Sequence, residues 1–278
     1  MFSFFSSFFA QKGIDCFGWI SLEDCRILRP YLLERNGIGR QGTVCMLAAP
    51  YYTEFCDDER RNLSAYAVSR DYHLFYKELF DELLPLLRER FPQYRFAGFA
   101  DHSPIDEVHA AARAGLGVIG KNHLLLTDKY SSYVFLGAVV TDAVSPCEAK
   151  ALTFCRDCGA CQAVCPMEKG GACLSSLSQK KGDLSPEEIA LLQSHNLVWG
   201  CDRCQEICPH TREAKARGTL YSPIPFFAKE PIPFLSEKHL LEMSDEEFSK
   251  RAYSWRGRAV ILRNLRHLKQ NGKENSKC

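Results

Sequence analysis

Eight of the fourteen cysteines in this chain lie between residues 155 and 208, at spacings that bind iron–sulfur clusters. The first run, CRDCGACQAVCP, reads C-x2-C-x2-C-x3-C-P from Cys155 to Pro166. In bacterial ferredoxins with this spacing, three thiolates hold one [4Fe–4S] cube and the fourth binds a second cube. Two cubes held by one short segment lie close enough to relay electrons, so the spacing predicts a redox protein.

The second run, CDRCQEICP, lacks a leading cysteine because Val198 occupies that position. Cys173 lies between the two runs and is available to supply the missing thiolate. The spacing therefore predicts two ligand sets. One consists of Cys155, Cys158, Cys161 and Cys208, and the other consists of Cys165, Cys173, Cys201 and Cys204.

Two other uses of cysteine fit this pattern less well. Zinc sites commonly use two separated CxxC pairs, which does not explain a CxxCxxCxxxCP run followed by CxxCxxxCP. Disulfide frameworks are typical of secreted proteins, whereas no secretory leader is apparent here, so we expect a cytoplasmic protein with reduced thiols. The six other cysteines show no ligand spacing, and most are expected to be small buried hydrophobic residues: Cys16, Cys25, Cys45, Cys56, Cys147 and Cys278.

The length and charge of the chain limit the remaining possibilities. The chain has 278 residues and a formal net charge of +1, which gives no overall sign of a nucleic-acid partner. No apolar run is long enough to span a bilayer, so no membrane partner is expected. The cysteine segment is too small to account for the whole chain, so an N-terminal half of roughly 145 residues must fold around its own core.

Strand and helix patterns alternate in the N-terminal half, which predicts an α/β (α+β) layered domain over residues 1–145. Strand patterns occupy TVCMLAAPYY, YRFAGFA and YVFLGAVVTD. Helix patterns occupy the aromatic-rich start, the segment DYHLFYKELFDELLPLLRERF with Pro85 inside it, and HAAARAGLG, which should end at Gly115 or Gly117. A cysteine domain is expected over 146–222, followed over 223–278 by a proline-rich connector and a basic helix. The buried stripe of that helix would consist of Ile261, Leu265 and Leu268.

The glycines of ARAGLGVIGKN form the next pattern. GLGVIG fits the letters G-x-G-x-x-G, but a Rossmann fingerprint needs a strand before it and a helix after it. Here a helix precedes the glycines, so a dinucleotide site is disfavoured. The pattern predicts a tight turn, which either brings the backbone close to a ligand or has no ligand at all.

Because these motifs occur together and in this order, the chain resembles the epoxyqueuosine reductases. The resemblance rests on RDYH, the D-x-x-P of DHSP, ARAGLGVIGKN, YVFLGAVVTD and the two cysteine runs with Cys173 between them, over roughly residues 14–215. It implies a nitroreductase-like module that binds cobalamin, as in reductive dehalogenases, followed by a ferredoxin-like module with two [4Fe–4S] clusters. It also implies an oxidoreductase that converts epoxyqueuosine in tRNA to queuosine with electrons from a donor such as ferredoxin or flavodoxin. We expect the protein to be a monomer.

The resemblance also implies roles for individual residues. Asp101 of the D-x-x-P motif would be the acid that protonates the leaving oxygen, with a pKa raised by burial beneath the corrin. No histidine stands in a D-x-H-x-x-G setting, so we expect cobalt without a histidine ligand. The expected cofactor contacts are Ser64, Tyr72, His73, Gly117, Gly120, Lys121, Asn122 and Ser175.

Several alternatives remain open on the sequence alone. Asp101 would serve equally as the N-cap of a helix that begins near Pro104. The segment from residue 250 onward contains nine Lys or Arg residues and one acid, which suits either phosphate contacts or a solvated helix face. Val108 and Val118 replace the Arg and Trp that are usual in the family. A corrinoid reductase with another substrate, or an electron carrier without a corrin, would therefore fit the same pattern.

Overall fold

The computed structural model describes residues 1–167 and 173–274, with side chains in the last helix through residue 268. Within those residues, helices α1 to α12 span, in chain order, Phe2–Gln11, Pro30–Arg35, Tyr72–Arg90, Glu107–Arg113, Ala160–Val164, Leu174–Ser178, Pro186–Gln193, Arg203–Glu206, Pro209–Ala216, Glu237–Glu242, Asp245–Ser249 and Arg258–Glu274. Strands β1 to β6 span Phe17–Ser21, Thr43–Pro50, Phe96–Phe99, Val118–Ile119, Leu125–Leu126 and Val134–Thr141. Each strand and helix predicted from the N-terminal sequence is present.

The chain divides into two compact units, each built from separate stretches of sequence. The first unit contains residues 1–51, 72–159 and 209–225, and the second contains 52–71, 160–208 and the residues from 226 onward. These units differ from the three consecutive parts expected above, because segment 52–71 pairs with a distant part of the chain. The N–H of Ser64 donates to the carbonyl of Trp199 over 2.8 Å, and the N–H of Val198 donates to Asn62 over 2.7 Å.

The first unit is organised around a four-stranded sheet in the order β1-β2-β6-β3. All three pairings are antiparallel, and the β2–β6 pairing runs from Thr43 opposite Thr141 to Pro50 opposite Val134. Every residue of β2 is buried. A strand covered on both faces needs apolar residues at consecutive positions, which explains the unbroken apolar run in its sequence.

Helices cover both faces of this sheet. On one face, Val44 and Met46 of β2 belong to a buried cluster with the alanines of α4. On the other face, Trp19 of β1 contacts Phe5 of α1, with ring centroids 4.8 Å apart, and Gly137 of β6 lies against Tyr76 of α3. The aromatic-rich start is therefore a helix that packs its rings on the sheet. Helix α4 ends as predicted at Gly115, whose φ of 84° suits a glycine.

The second unit has its own core around Trp199 and Tyr253, which are both fully buried. Helix α12 contributes Ile261 and Leu265 to this core, and Leu268 is partly buried beside them. The predicted apolar stripe is thus confirmed. The proline-rich connector is less extended than expected, because Pro225–Ala228 forms a 3-10 turn. No helix within the described ranges is both long and apolar enough to cross a membrane.

Candidate functional site

A cavity of about 190 Å³ opens at the edge of the sheet in the first unit. Its polar lining comes from Tyr72 at the start of α3, from Asp101, and from Glu107 at the start of α4. Ser132 adds a hydroxyl group, and the remaining wall is apolar: Val108, Leu124, Leu125, Val134, Phe135 and Leu136. An apolar cavity with a few convergent polar groups is the usual form of a small-molecule site.

Asp101 reaches this cavity from a short loop between β3 and α4. Its φ of 63° is unusual for a residue other than glycine, and such strain is concentrated at functional sites. The loop is fixed at its far end, where the N–H groups of Leu28 and Arg29 both donate to the carbonyl of Pro104. The Asp101 side chain is 70% exposed, and its Oδ2 lies 3.7 Å from Nε2 of His73.

The helix-cap alternative for Asp101 is wrong. Helix α4 begins at Glu107, and its N-cap is Asp106, whose side chain accepts a hydrogen bond from the N–H of His109 over 3.1 Å. The cap falls later than expected because Ile105 still pairs with Ile27 in an antiparallel bridge. Asp101 is therefore left without a structural role in the helix.

Glu107 is a residue of the cavity that the sequence analysis missed. Its Oε1 atom is inaccessible to solvent and has no hydrogen-bond partner among the described residues. Burial, reinforced by the negative charge of Asp101, raises the pKa of Glu107 to about 8. The position follows Pro104 in a D-x-x-P-x-x-E pattern, but only the tertiary environment distinguishes it from an ordinary acid in the first turn of a helix.

An aromatic stack forms one wall of the cavity. The ring of Tyr72 lies 4.2 Å from that of Phe135 at an interplanar angle of 10°, and Phe135 stacks in turn on Tyr51. His73 is beside Tyr72, with ring centroids 4.1 Å apart. The RDYH motif thus places two predicted site residues next to Asp101, and flat aromatic faces of this kind suit a planar ligand.

The glycine motif forms the two-stranded hairpin β4–β5. A side chain at Gly117 would collide with the backbone of Leu126, and one at Gly120 would collide with Asn122. Both glycines are therefore explained by close packing within the hairpin itself. The Oδ1 of Asn122 accepts the N–H of Leu124 over 3.3 Å and closes the turn. Cofactor contacts of these residues stay a prediction.

The same hairpin holds the start of the first cysteine run. The N–H of Ile119 donates to Thr153, and the N–H of Cys155 donates back to Ile119, both over 3.0 Å. Lys121, which directly follows the glycines, forms an ion pair with Asp157 inside that run. Two motifs that are far apart in the sequence are thus joined in the first unit.

The second unit contains the other six predicted ligands, from Cys161 onward. Helix α5 carries Cys161 and packs against α8, which carries Cys204. Cys173 is an exposed residue at the N-cap of α6. Burial raises the pKa of the nearby Cys201 thiol to about 11, and the charge of Cys173 adds to this effect.

A buried carboxylate fixes the segment that contains Cys201 and the start of α8. Asp202 is 1% exposed and accepts hydrogen bonds from the Arg61 guanidinium over 2.6 Å, from the Ala65 N–H over 2.8 Å, and from the Ser64 hydroxyl. Ser64 is therefore completely buried with its hydroxyl engaged, so its expected contact with a cofactor rests on resemblance alone. Arg61 also pairs with Glu206 over 2.8 Å.

Ser175 follows Cys173 on α6, where its hydroxyl accepts a hydrogen bond from the side-chain amide of Gln179 over 3.1 Å. Its carbonyl accepts the Ser178 hydroxyl over 2.7 Å. Asn264 of α12 then donates to the carbonyls of Ser178 and Val198 over 2.7 and 2.8 Å. Helix α12 thus anchors two segments that each lead to a predicted ligand.

The state of the cysteines in the described ranges bears on the disulfide alternative. All thirteen are free thiols, which excludes a disulfide framework among them. Within the same residues, no three His, Cys, Asp or Glu side chains are arranged to hold one metal ion. Ligands of a four-iron cube bind different irons and are spaced more widely than those around a single ion. Cys25, Cys45 and Cys56 are buried as expected, and Cys278 lies outside the described residues.

Among the residues whose side chains the structure describes, arginines of the basic C-terminal segment form hydrogen bonds within the second unit. Arg258 donates to the carbonyls of Leu240 and Met243, both over 2.7 Å. Arg263 donates to the carbonyl of Lys180 over 2.7 Å. These arginines stabilise helix ends and loops. This part of the positive charge therefore has a role in the fold itself.

Curated epoxyqueuosine reductases align with most of this chain. The protein from Listeria monocytogenes is 35% identical over 210 residues, which cover 70% of this chain and 53% of that protein. The protein from Escherichia coli strain K12 is 31% identical over 196 residues, with coverages of 68% and 50%. The chain belongs to the epoxyqueuosine reductase family. It spans about half the length of these relatives, and no protein-family model matches it.

Solved structures of epoxyqueuosine reductases share the mixed α/β fold. The structure from Streptococcus thermophilus has a TM-score of 0.75 at 22% identity and covers 98% of this chain and 81% of that one. An epoxyqueuosine reductase with an epoxyqueuosine-modified tRNA stem loop has a TM-score of 0.76 at 23% identity, with coverages of 99% and 83%. The fold is therefore that of this family over nearly the whole chain.

The departure from epoxyqueuosine reductases at residue 108 lies inside the cavity. Val108, where the resemblance described above predicts arginine, is one of the lining residues. The cavity is also smaller than the roughly 300–1,000 Å³ of sites for drug-sized ligands, so it does not hold a whole corrin by itself. Its acids and aromatic wall fit the reacting end of a larger ligand.

Proposed function

We propose that this chain is an oxidoreductase that converts epoxyqueuosine in tRNA to queuosine. Removal of the epoxide oxygen as water requires two electrons and two protons. Membership of the family supports this reaction, as does a fold shared with a reductase solved with an epoxyqueuosine-modified tRNA stem loop. The observation that carries the proposal is the cavity where Asp101, Tyr72 and Glu107 meet.

Asp101 is proposed as the acid that protonates the epoxide oxygen. It lines the cavity, has a strained backbone and does not cap α4. A Bacillus subtilis epoxyqueuosine reductase has a catalytic loop named for an aspartate, seen swung out of the active site. The exposure of Asp101 agrees with a loop that also adopts an open position in this protein.

The cofactors are proposed from the residues available to hold them. Residues 146–222 would form the ferredoxin-like module with two [4Fe–4S] clusters, which pass single electrons from a ferredoxin or flavodoxin. Residues 1–145 would form the nitroreductase-like module that binds cobalamin. Bound cobalamin would supply a cobalt centre that accepts these electrons. The chain itself would position the planar ligand with Tyr72 and Phe135, exclude water with the apolar wall, and donate protons from its carboxyl groups.

The proposal is tested by anaerobic reconstitution with iron, sulfide and cobalamin, followed by a single-turnover assay on epoxyqueuosine-containing tRNA. We expect about eight irons and one cobalt per chain, and a nucleoside product lighter by one oxygen. Electrons are supplied by reduced flavodoxin. Eight irons without retained cobalt and without product would instead favour an electron carrier and refute the reductase.

A reductase with the same cofactors and another substrate is the second candidate. Val108 favours it, because the loss of an arginine from the cavity removes a positive charge that a phosphate or carbonyl group of the ligand would otherwise contact. Retention of cobalt without conversion of epoxyqueuosine-tRNA would support this candidate.

A further inference from the structure

We propose that Glu107 is the second proton donor of the cavity and protonates the oxygen that leaves the substrate as water. This inference rests on the proposed function and assigns the second of the two protons that the reaction consumes. Asp101 supplies the first proton from the same cavity.

The position of the Glu107 carboxyl group is the first argument. Glu107 is the first residue of α4, and its side chain lines the cavity beside Asp101. Its Oε1 is buried without a hydrogen-bond partner among the described residues. A buried polar atom left unpaired costs free energy, so this atom at the cavity wall is available to pair with a ligand group.

The charges around Glu107 decide its protonation state. Burial is the largest cause of its raised pKa of about 8, and the negative charge of Asp101 adds to it. Hydrogen bonds from the Asp101 backbone and the Ser103 hydroxyl act in the opposite direction, as does the positive charge of Arg29. Tyr76 faces the group from α3 and is neutral at this pH, because its own pKa is raised by burial. Glu107 is therefore mainly the neutral acid at pH 7.

The chemistry of the reaction requires two separate proton transfers. The first C–O bond of the epoxide breaks, and its oxygen takes a proton that Asp101 relays from solvent, which makes it a hydroxyl group. The second C–O bond then breaks, the carbons form the alkene, and the departing oxygen takes a proton from Glu107 to become water. The two electrons come from the external one-electron donor, which is oxidised. In the overall reaction, one epoxide, two electrons and two protons give one alkene and one water.

The two acids differ in their access to water, which suits this division. Asp101 is 70% exposed and open to solvent, whereas the Glu107 Oε1 is closed off. Carboxyl groups in different environments commonly have different roles in one site. A proton stored on Glu107 remains available until the hydroxyl group leaves.

The test compares wild type, E107Q and E107D as reconstituted holoenzymes, with D106N as the matched control. Asp106 is the adjacent carboxylate, and asparagine caps a helix as well as aspartate does. We expect E107Q to lower the single-turnover rate about 10²–10⁴-fold, with unchanged iron content and unchanged affinity for tRNA. E107D should restore part of the rate, and D106N should match wild type.

An infrared titration gives a readout that does not depend on turnover. The carbonyl band of a protonated carboxyl group should disappear with a midpoint near pH 8 in wild type and be absent in E107Q. The wild-type rate should fall over the same range. Absence of the band, or an active wild type with an equally active E107Q, would overturn the role of Glu107 alone. A wild type that retains cobalt and shows the band but leaves epoxyqueuosine unchanged would refute the proposed function instead.

Discussion

Asp101 and Glu107 line the same cavity, where the charge of Asp101 adds to the effect of burial in raising the pKa of Glu107. Burial disfavours the charged form of Glu107, whereas the Asp101 side chain is 70% exposed. Residues with distinct environments in one site can divide the proton transfers of a reaction.

Substitution of Asp101 by asparagine should abolish most epoxide reduction while the cofactors stay bound. The amide keeps the size of the side chain but cannot donate an acidic proton, so we expect a loss of about 10²–10⁴-fold in the single-turnover rate. The measurement is product formation per chain at matched iron and cobalt content. Full activity of D101N would show that the first proton comes from elsewhere.

Substitution of Glu107 by glutamine should make the stability of the protein less sensitive to alkaline pH. The pKa of Glu107 is raised in the folded state from 4.5 to about 8, so the folded state binds more protons than the unfolded state between these values. Wild type therefore loses stability as pH rises from about 5 to 8, at up to about 1.4 kcal/mol per pH unit. Thermal melts of both proteins should diverge over this range and run parallel above it. A constant difference at all pH values would contradict this.

Substitution of Cys173 by alanine should remove one cluster and leave the other. Iron content should fall from about eight to about four per chain, because one thiolate of a four-cysteine set is missing. C147A is the matched control, since Cys147 is a partly buried cysteine outside both predicted sets. Iron analysis and the visible absorption of the reconstituted proteins provide the measurement. Unchanged iron in C173A would require a different fourth ligand.

Removal of Arg61 should destabilise the second unit through Asp202. Arg61 and Asp202 side chains are 11% and 1% exposed, and an unpaired buried carboxylate costs about 3–5 kcal/mol, or roughly 6–20 °C in Tm for a protein of this size. The neighbouring R60A is the control, because Arg60 pairs with Asp58 on the surface and its side chain is 80% exposed. Equal melting temperatures for R61A and R60A would show that other partners hold Asp202.

Much of the local structure follows from the sequence because it depends on nearest neighbours. The apolar runs of β2 and β6, the helical spacing of α3 and the glycine at the end of α4 each specify their element directly. The cysteine spacing specifies the predicted ligand sets in the same way. Nothing in the sequence indicated that segment 52–71 would join the second unit, because that pairing depends on contacts with residues near Trp199.

The candidate site, too, could be predicted only in part from the sequence. The D-x-x-P motif identified Asp101, but the sequence alone left it equally suited to capping a helix, and only the start of α4 at Glu107 decided the matter. Lys121 and Asp157 are conspicuous in their motifs, but their ion pair required the hairpin to meet the cysteine run. By itself, the sequence determined which residue types are available for redox and acid chemistry. The tertiary structure decided that Glu107 is a neutral acid, because a pKa depends on burial and on neighbouring charges that only the folded chain brings together.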